Sequence, residues 1–384
     1  MAEAEILQPF ELSFSDLLLS SRFHSSSPRD RKRCQWISRN VMEALGPTGP
    51  GLLCITGVLG SALLRRKLLP MARKLALLDP DKRNRILKEH HLGSDVPLKN
   101  PERDVSSFAM KLNYERTSLS SQGKLWYDDA NYGIGAKLDF QEDDDDDEFK
   151  NLGGAFKELG FCMRELGLSI ARLCDREIGG GLLEESLLES CTAKGRLIHY
   201  HSAADKCALR EAERRNQSGK RVSSKRRDKI ASEQEMNHRN GTALSECTLM
   251  SSHSYLRIYH PSNNKFYMVK TPQDSFIVQI GESADILSKG KLRSTLHCVC
   301  KPEKVEHISR ETFVVFLQPK WSQTFSVSEY TMEQLQRHEV PQTEIQKIVP
   351  PLSSRLRDGM TFAEFSRETT KQYYGGSGLQ SNRS

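Results

Sequence analysis

Two pieces of chemistry frame the middle of this chain. A carboxylate in a dry site is best held by a planar, bidentate cation, Arg rather than Lys, with a hydroxyl donor beside it. Non-haem Fe(II) that activates oxygen is held by two His and one carboxylate on one side, leaving open positions. Residues of these types stand at His199, Tyr200, His201, Asp205, His297, Arg310 and Thr312. His199 and His201 would share one face of a strand and form a further cluster with Asp205, although a polar strand end is its plainer reading. A single strand histidine such as His297 is as often structural as it is a ligand.

These residues need strands to position them, and the pattern supplies strands late in the chain. Leu256 and Ile258 alternate with Arg257 and Tyr259, Pro261–Asn264 makes a turn, and Phe266–Val269 returns as a partner. Phe276–Ile280, Leu296–Cys300 and Phe313–Leu317 are three more short strands, and Arg196–His201 is rich in strand formers. Evenly spaced short strands with Gly and Pro turns predict a sandwich or jelly roll. Upstream, the pattern is helical. A helical run begins at Trp36 and breaks at Gly46–Gly51; Leu52–Val58 reads as a buried strand. Leu64, Leu68, Met71, Leu75 and Leu78 line one helix face, with Arg65, Arg66, Arg73 and Lys74 left in water and a kink expected at Pro70. Leu152 to Asp175 keeps helical spacing and stops at Gly179–Gly181. In the tail, Thr361-x-x-Glu364 is a capping box for a last helix, expected to rest on the surface.

The chain has 384 residues, enough for about two domains or one large one. Its formal net charge is +6. Ten Lys and Arg against three acids in Lys206–Lys229 leave +7 there and −1 elsewhere, which excludes a uniformly basic, nucleic-acid-coating protein. The basic clusters around Arg214, Lys220 and Arg226 suit a nuclear-import signal or a solvated linker, and no aromatic interleaves them to stack on bases. Glu142–Glu148 is an unbroken acidic run and predicts a solvated loop. No run is long and apolar enough to span a membrane, and the first residues lack a secretory pattern. Nine cysteines scattered from Cys34 to Cys300 without a C-x-x-C pair argue against a disulfide framework and a zinc ribbon. A monomer in the cytoplasm, or in the nucleus by way of the basic linker, is expected, with a small-molecule substrate and no membrane or nucleic-acid partner.

The stretch from Val278 to Trp321 resembles the core of 2-oxoglutarate/Fe(II)-dependent oxygenases of the plant, isopenicillin-N-synthase-like branch. Gly281-Glu282, Ser294-x-x-His297 and Arg310-x-Thr312 carry the likeness, and Arg196-Leu-Ile-His-Tyr200 matches the family's R-x-N-x-Y strand with Ile198 where Asn is usual. The resemblance implies an α+β protein: a double-stranded β-helix (jelly roll), incomplete if a strand is missing, behind an N-terminal helical region. It implies Fe(II) and 2-oxoglutarate as cofactors, His297 as an iron ligand, Arg310 and Thr312 on the cosubstrate carboxylate, and Tyr200 as a further cosubstrate contact. The organisation that follows is a mobile arm over 1–30, a mainly helical region over 31–190, a jelly-roll core over 191–325 interrupted by the basic linker at 206–250, and a tail over 326–384.

One part of the family pattern is missing. No His-x-Asp or His-x-Glu occurs between Tyr200 and His297. Three accounts fit: a segment absent from this form of the chain, true loss of the motif in a catalytically inactive binding protein, or a site rebuilt around His238-x-Asn240, where Asn is a poor iron ligand. Loss of a strand would leave a sheet edge without its partner.

Overall fold

The computed structural model describes residues 5–21, 27–114, 148–220, 247–251, 256–260, 263, 265–299, 308–327 and 350–374. In chain order its elements begin with β1 (Glu5–Leu7), β2 (Phe10–Ser13), α1 (Phe14–Ser21), α2 (Pro28–Leu45), β3 (Leu52–Thr56), α3 (Ser61–Leu77), α4 (Pro80–Glu89), β4 (Gly93–Ser94) and β5 (Val105–Asn113). Then come α5 (Leu152–Ile178), α6 (Leu182–Ser190), β6 (Thr192–Tyr200), α7 (Ala203–Lys220), β7 (Cys247–Ser251), β8 (Leu256–His260), β9 (Lys265–Val269) and β10 (Phe276–Gln279). The last are α8 (Glu282–Leu287), β11 (His297–Val299), β12 (Arg310–Leu317), α9 (Leu352–Arg355) and α10 (Phe362–Tyr374).

The strands form two sheets. The larger runs β2-β3-β10-β7-β12-β6-β5-β4 and the smaller β1-β9-β8-β11. Strand alternation gives the larger sheet two different faces. Phe108, Met110, Leu197, Phe313 and Val315 point one way and bury against Leu64 and Leu68 of α3 and Phe156, Leu159 and Met163 of α5. Leu52, Ile277, Val314 and Phe316 point the other way and meet Leu256, Ile258 and Val269 of the smaller sheet. Helices therefore cover the outside, and the inside lies between two sheets, as in a double-stranded β-helix. The outer contact is close. Phe156 stands edge-on to Phe313 with ring centroids 4.8 Å apart, and a Cβ on Gly195 would come within 2.5 Å of the Phe156 ring.

Several expectations hold. The helix from Leu152 extends to Ile178, Pro70 lies inside α3, and the hairpin β8–β9, β10, β11 and β12 stand where the pattern places them. Thr361 and Glu364 cap α10 reciprocally: the Glu364 carboxylate accepts from the Thr361 backbone and hydroxyl, and the Glu364 amide donates to Thr361 Oγ1. Cys34, Cys54, Cys162, Cys174, Cys191, Cys207 and Cys298 are free thiols. No helix among the described residues is long and apolar enough to cross a membrane.

Others are corrected. Residues 5–21 are not a mobile arm: β1 pairs in parallel with β9, β2 with β3, and Leu12 and Leu17 are buried. Short apolar strands at an edge gain a full ladder of hydrogen bonds, a gain that the polar Ser25–Ser27 stretch behind them conceals. The helix expected from Trp36 starts at Pro28, because Ser27 caps it and Pro suits its first turn. Arg65 is buried rather than solvated; its guanidinium lies 4.3 Å from the Phe276 ring centroid and donates to the Ser275 carbonyl. Within the mainly helical region 31–190, the strand β5, which the pattern did not indicate, pairs along its whole length with β6. The tail is more than a surface appendage: Phe325, Leu352, Phe362 and Phe365 build a small core with Ile286, and the buried Arg355 bonds Glu282. Among the described residues of the larger sheet, β7 pairs with both β10 and β12. The smaller sheet ends, among the described residues, on β11. His238-x-Asn240, the acidic run before Glu148, Cys300 and the basic clusters beyond Lys220 lie outside the described residues.

Candidate functional site

The matched register of β6 and β12 decides what the candidate residues share. Arg310 sits opposite Tyr200 and Thr312 opposite Ile198. Val314 and Phe316, two and four residues beyond Thr312 on the same face, belong to the interior cluster, and so Tyr200, Arg310 and Thr312 also face the interior. Thr312 is fully buried. The Arg310 guanidinium carbon lies 5.4 Å from the Tyr200 ring centroid. Burial pushes the Tyr200 phenol up from its ordinary range, against the pull of Arg310 and Arg196, so it keeps its proton and its capacity to donate. The neighbouring interior cation, Arg196, is already matched: its Nε lies 2.5 Å from the Asp95 carboxylate, and its guanidinium lies over Phe316.

His297 enters the same interior from the smaller sheet, in register with Ile258. Gln279 of β10 links it to the larger sheet, its amide nitrogen 2.7 Å from His297 Nδ1 and 3.1 Å from the Thr295 carbonyl, which is itself 2.9 Å from Nδ1. Nδ1 is thereby engaged, and Nε2 is the nitrogen turned to any ligand. Desolvation lowers the His297 pKa, partly offset by the Thr295 carbonyl, and favours the neutral imidazole that a metal requires.

The other face of β6 carries a different group. His199 pairs with Glu311 and Ser106 across the two adjoining ladders and points to the helices with Leu197. His199, His201 and Asp205 are all buried, and their ligand atoms lie within 4.8 Å of one another. This is a His-His-Asp triad. His199 Nδ1 is 2.9 Å from Glu311 Oε1, and His199 Nε2 is 3.3 Å from Asp205 Oδ2. The two imidazoles meet edge to face at 4.5 Å, and His201 Nε2 is 2.9 Å from Ser106 Oγ. Asp205 accepts from the Ser202 amide and hydroxyl and from Arg73 of α3. Burial alone would raise its pKa; the bonds from Ser202 and Arg73 and the nearby His199 outweigh it and hold the carboxyl low. Burial, with His199 and Arg103 nearby, pushes His201 down to about 3, so it is neutral at ordinary pH.

Among the described residues this is the one group of three or more His, Cys, Asp and Glu that could enclose an ion. On the interior face His297 is not joined, among the described residues, by a second His and a carboxylate. Cosubstrate residues and a His-His-Asp triad are thus both present, with the larger sheet between them. Gln279, Glu311 and Ser106, the partners that orient the three histidines, were not singled out in the sequence. The one signal for Gln279 is its place just before Gly281-Glu282, and Glu311 is legible only as the residue between Arg310 and Thr312.

Residues 232–325 match the family model described as the 2OG-Fe(II) oxygenase superfamily. Among solved structures, the chain is similar to a full-length Neurospora crassa protein in complex with alpha-KG and thymine, at 13% identity, covering 98% of each chain with a TM-score of 0.57. The complex of that protein with alpha-KG and 5-formyluracil gives 14% identity, coverage of 97% of this chain and 98% of the other, and a TM-score of 0.55. The rice dioxygenase for auxin oxidation gives 15% identity, 98% coverage of each chain and a TM-score of 0.51. No curated protein matches. The chain has the double-stranded β-helix fold of these solved structures, and its residues 232–325 carry the superfamily's match. Fe(II) and 2-oxoglutarate are the cofactors of that superfamily.

Proposed function

We propose that the chain binds 2-oxoglutarate inside the roll and, as an oxygenase-like protein, serves the oxidation of a small organic substrate. The observation that carries this reading is the convergence of Arg310, Thr312 and Tyr200 on one interior face. Arg310 offers a planar fork to the distal carboxylate, Thr312 a hydroxyl two residues along the same strand, and Tyr200 a protonated phenol from the facing strand. The apolar wall of Val314, Ile277 and Ile258 keeps water from competing for those donors. The likeness to the rice enzyme supports the plant branch. Fe(II) in such a fold supplies oxygen activation; on the interior face the described residues offer it His297 alone.

Calorimetric titration with 2-oxoglutarate tests the binding half. The intact chain should bind, and Arg310→Ala should bind about 10–100-fold more weakly, the loss expected for a charge-assisted carboxylate contact. Equal binding by both would overturn the assignment. Succinate formation with Fe(II), absent in Arg310→Ala, would add turnover; binding without succinate would restrict the interior to binding.

A further inference from the structure

We propose that His199, His201 and Asp205 form a site for a divalent transition ion, Zn(II) being the best match, on the helix-covered side of the larger sheet. It is separate from the interior His297 and from the cosubstrate residues. Two imidazoles and a carboxylate, with ligand atoms already within 4.8 Å of one another, form the donor set that zinc takes at three of its four positions. All three side chains are at most 2% exposed, so the polar atoms are gathered where water cannot satisfy them.

The orientation of His199 is the second observation. Its Nδ1 is tied to the Glu311 carboxylate, the outer contact that a metal-ligating histidine ordinarily makes. That contact leaves Nε2 as the nitrogen facing the Asp205 carboxylate. Nε2 and Asp205 Oδ2 stand 3.3 Å apart, a separation that one ion bonded to both atoms also spans. Nε2 is buried and makes no hydrogen bond. Ser106 Oγ lies 2.9 Å from His201 Nε2, and Ser202 and Arg73 hold Asp205.

Such an ion would clamp the end of β6 to the first turn of α7, with α3 attached through Arg73. Without it, the same residues are a capping box, Ser202 with Asp205, plus an ion pair. The two states differ in what metal does to them.

Titrating the full-length, metal-stripped chain with Zn(II), and with Co(II) read by its visible absorption, separates them. One equivalent should bind, raise the melting temperature and give Co(II) bands of a nitrogen- and oxygen-ligated ion. His199→Gln and Asp205→Asn should each weaken binding at least tenfold, and Glu311→Gln should weaken it by about 10–100-fold through His199. His297→Ala and Arg310→Ala should leave it unchanged. Circular dichroism establishes that each variant is folded, and Asp205→Asn retains an acceptor for Ser202 should His199→Gln fail to fold. No binding by the folded chain, binding that survives both ligand substitutions, or loss in His297→Ala would each overturn the site.

Discussion

His199 and Tyr200 are neighbours in the chain and lie on opposite sides of the larger sheet. On the Tyr200 side the polar groups are donors, Arg310 and Thr312, set among the apolar residues of two facing sheets and suited to an anion. On the His199 side they are two imidazoles and the carboxylates of Asp205 and Glu311, with Arg73 on Asp205, set among helix-packed apolar residues, and the proposed ion would join them. The strand does not mix them because its side chains alternate. Opposite electrostatic demands can be met one residue apart when a sheet separates them. A His-His-Asp triad near a cosubstrate strand is not, by proximity in sequence, part of the cosubstrate's site.

The comparison can be broken most severely at the outer face. Phe313→Ala removes a fully buried ring that meets Phe156 and should cost about 3–5 kcal/mol in a urea melt. A cost no larger than that of Val314→Ala, on the interior side, would mean that the helices are not the principal packing of the sheet. The next effect concerns the polar group on that face. The folded pKa of His201, about 3, is below its ordinary 6.5, so below pH 6.5 the unfolded chain takes up the proton that the folded chain refuses. Stability of the metal-free chain should therefore fall as pH drops from 6.5 toward 3, by on the order of 3 kcal/mol between 6.5 and 4 at most. His201→Gln should flatten that slope, and an unchanged slope would place the titration elsewhere. Gly195→Ala should cost about 1–3 kcal/mol in the same melt, since the new methyl meets the Phe156 ring. The smallest effect sharpens the interior side: Thr312→Val should weaken 2-oxoglutarate binding by about 0.5–1.5 kcal/mol and leave the melt nearly unchanged. A large stability loss there would make Thr312 a structural hydroxyl.

Legibility in the sequence followed the range of the interaction that each feature depends on. The helix over Leu152–Ile178, the hairpin at Leu256–Val269 and the Thr361–Glu364 cap depend on neighbours in the chain, and their residue pattern suffices. β1 and β5 were not legible, because three residues of edge strand, or a strand inserted in a helical region, are stabilised by partners far away in sequence. Arg65 misled for a similar reason: a cation on a helix reads as solvated until Phe276 and Asp274 arrive beside it.

The candidate site divides along the same line. From the sequence come the residue types, their two-residue spacing, and the likeness that joins Ser294-x-x-His297 to Arg310-x-Thr312. Spacing determines that Arg310 and Thr312 share a face and that His199 and Tyr200 do not, because alternation is a property of any extended strand. Which face is inside could not be read, since a single strand has no inside until a second sheet and a helix layer choose its two sides. Tertiary structure made that choice by burying Leu197 and Phe313 under α3 and α5. That packing set His199 against Asp205 and gave Tyr200 and Arg310 to the interior of the roll.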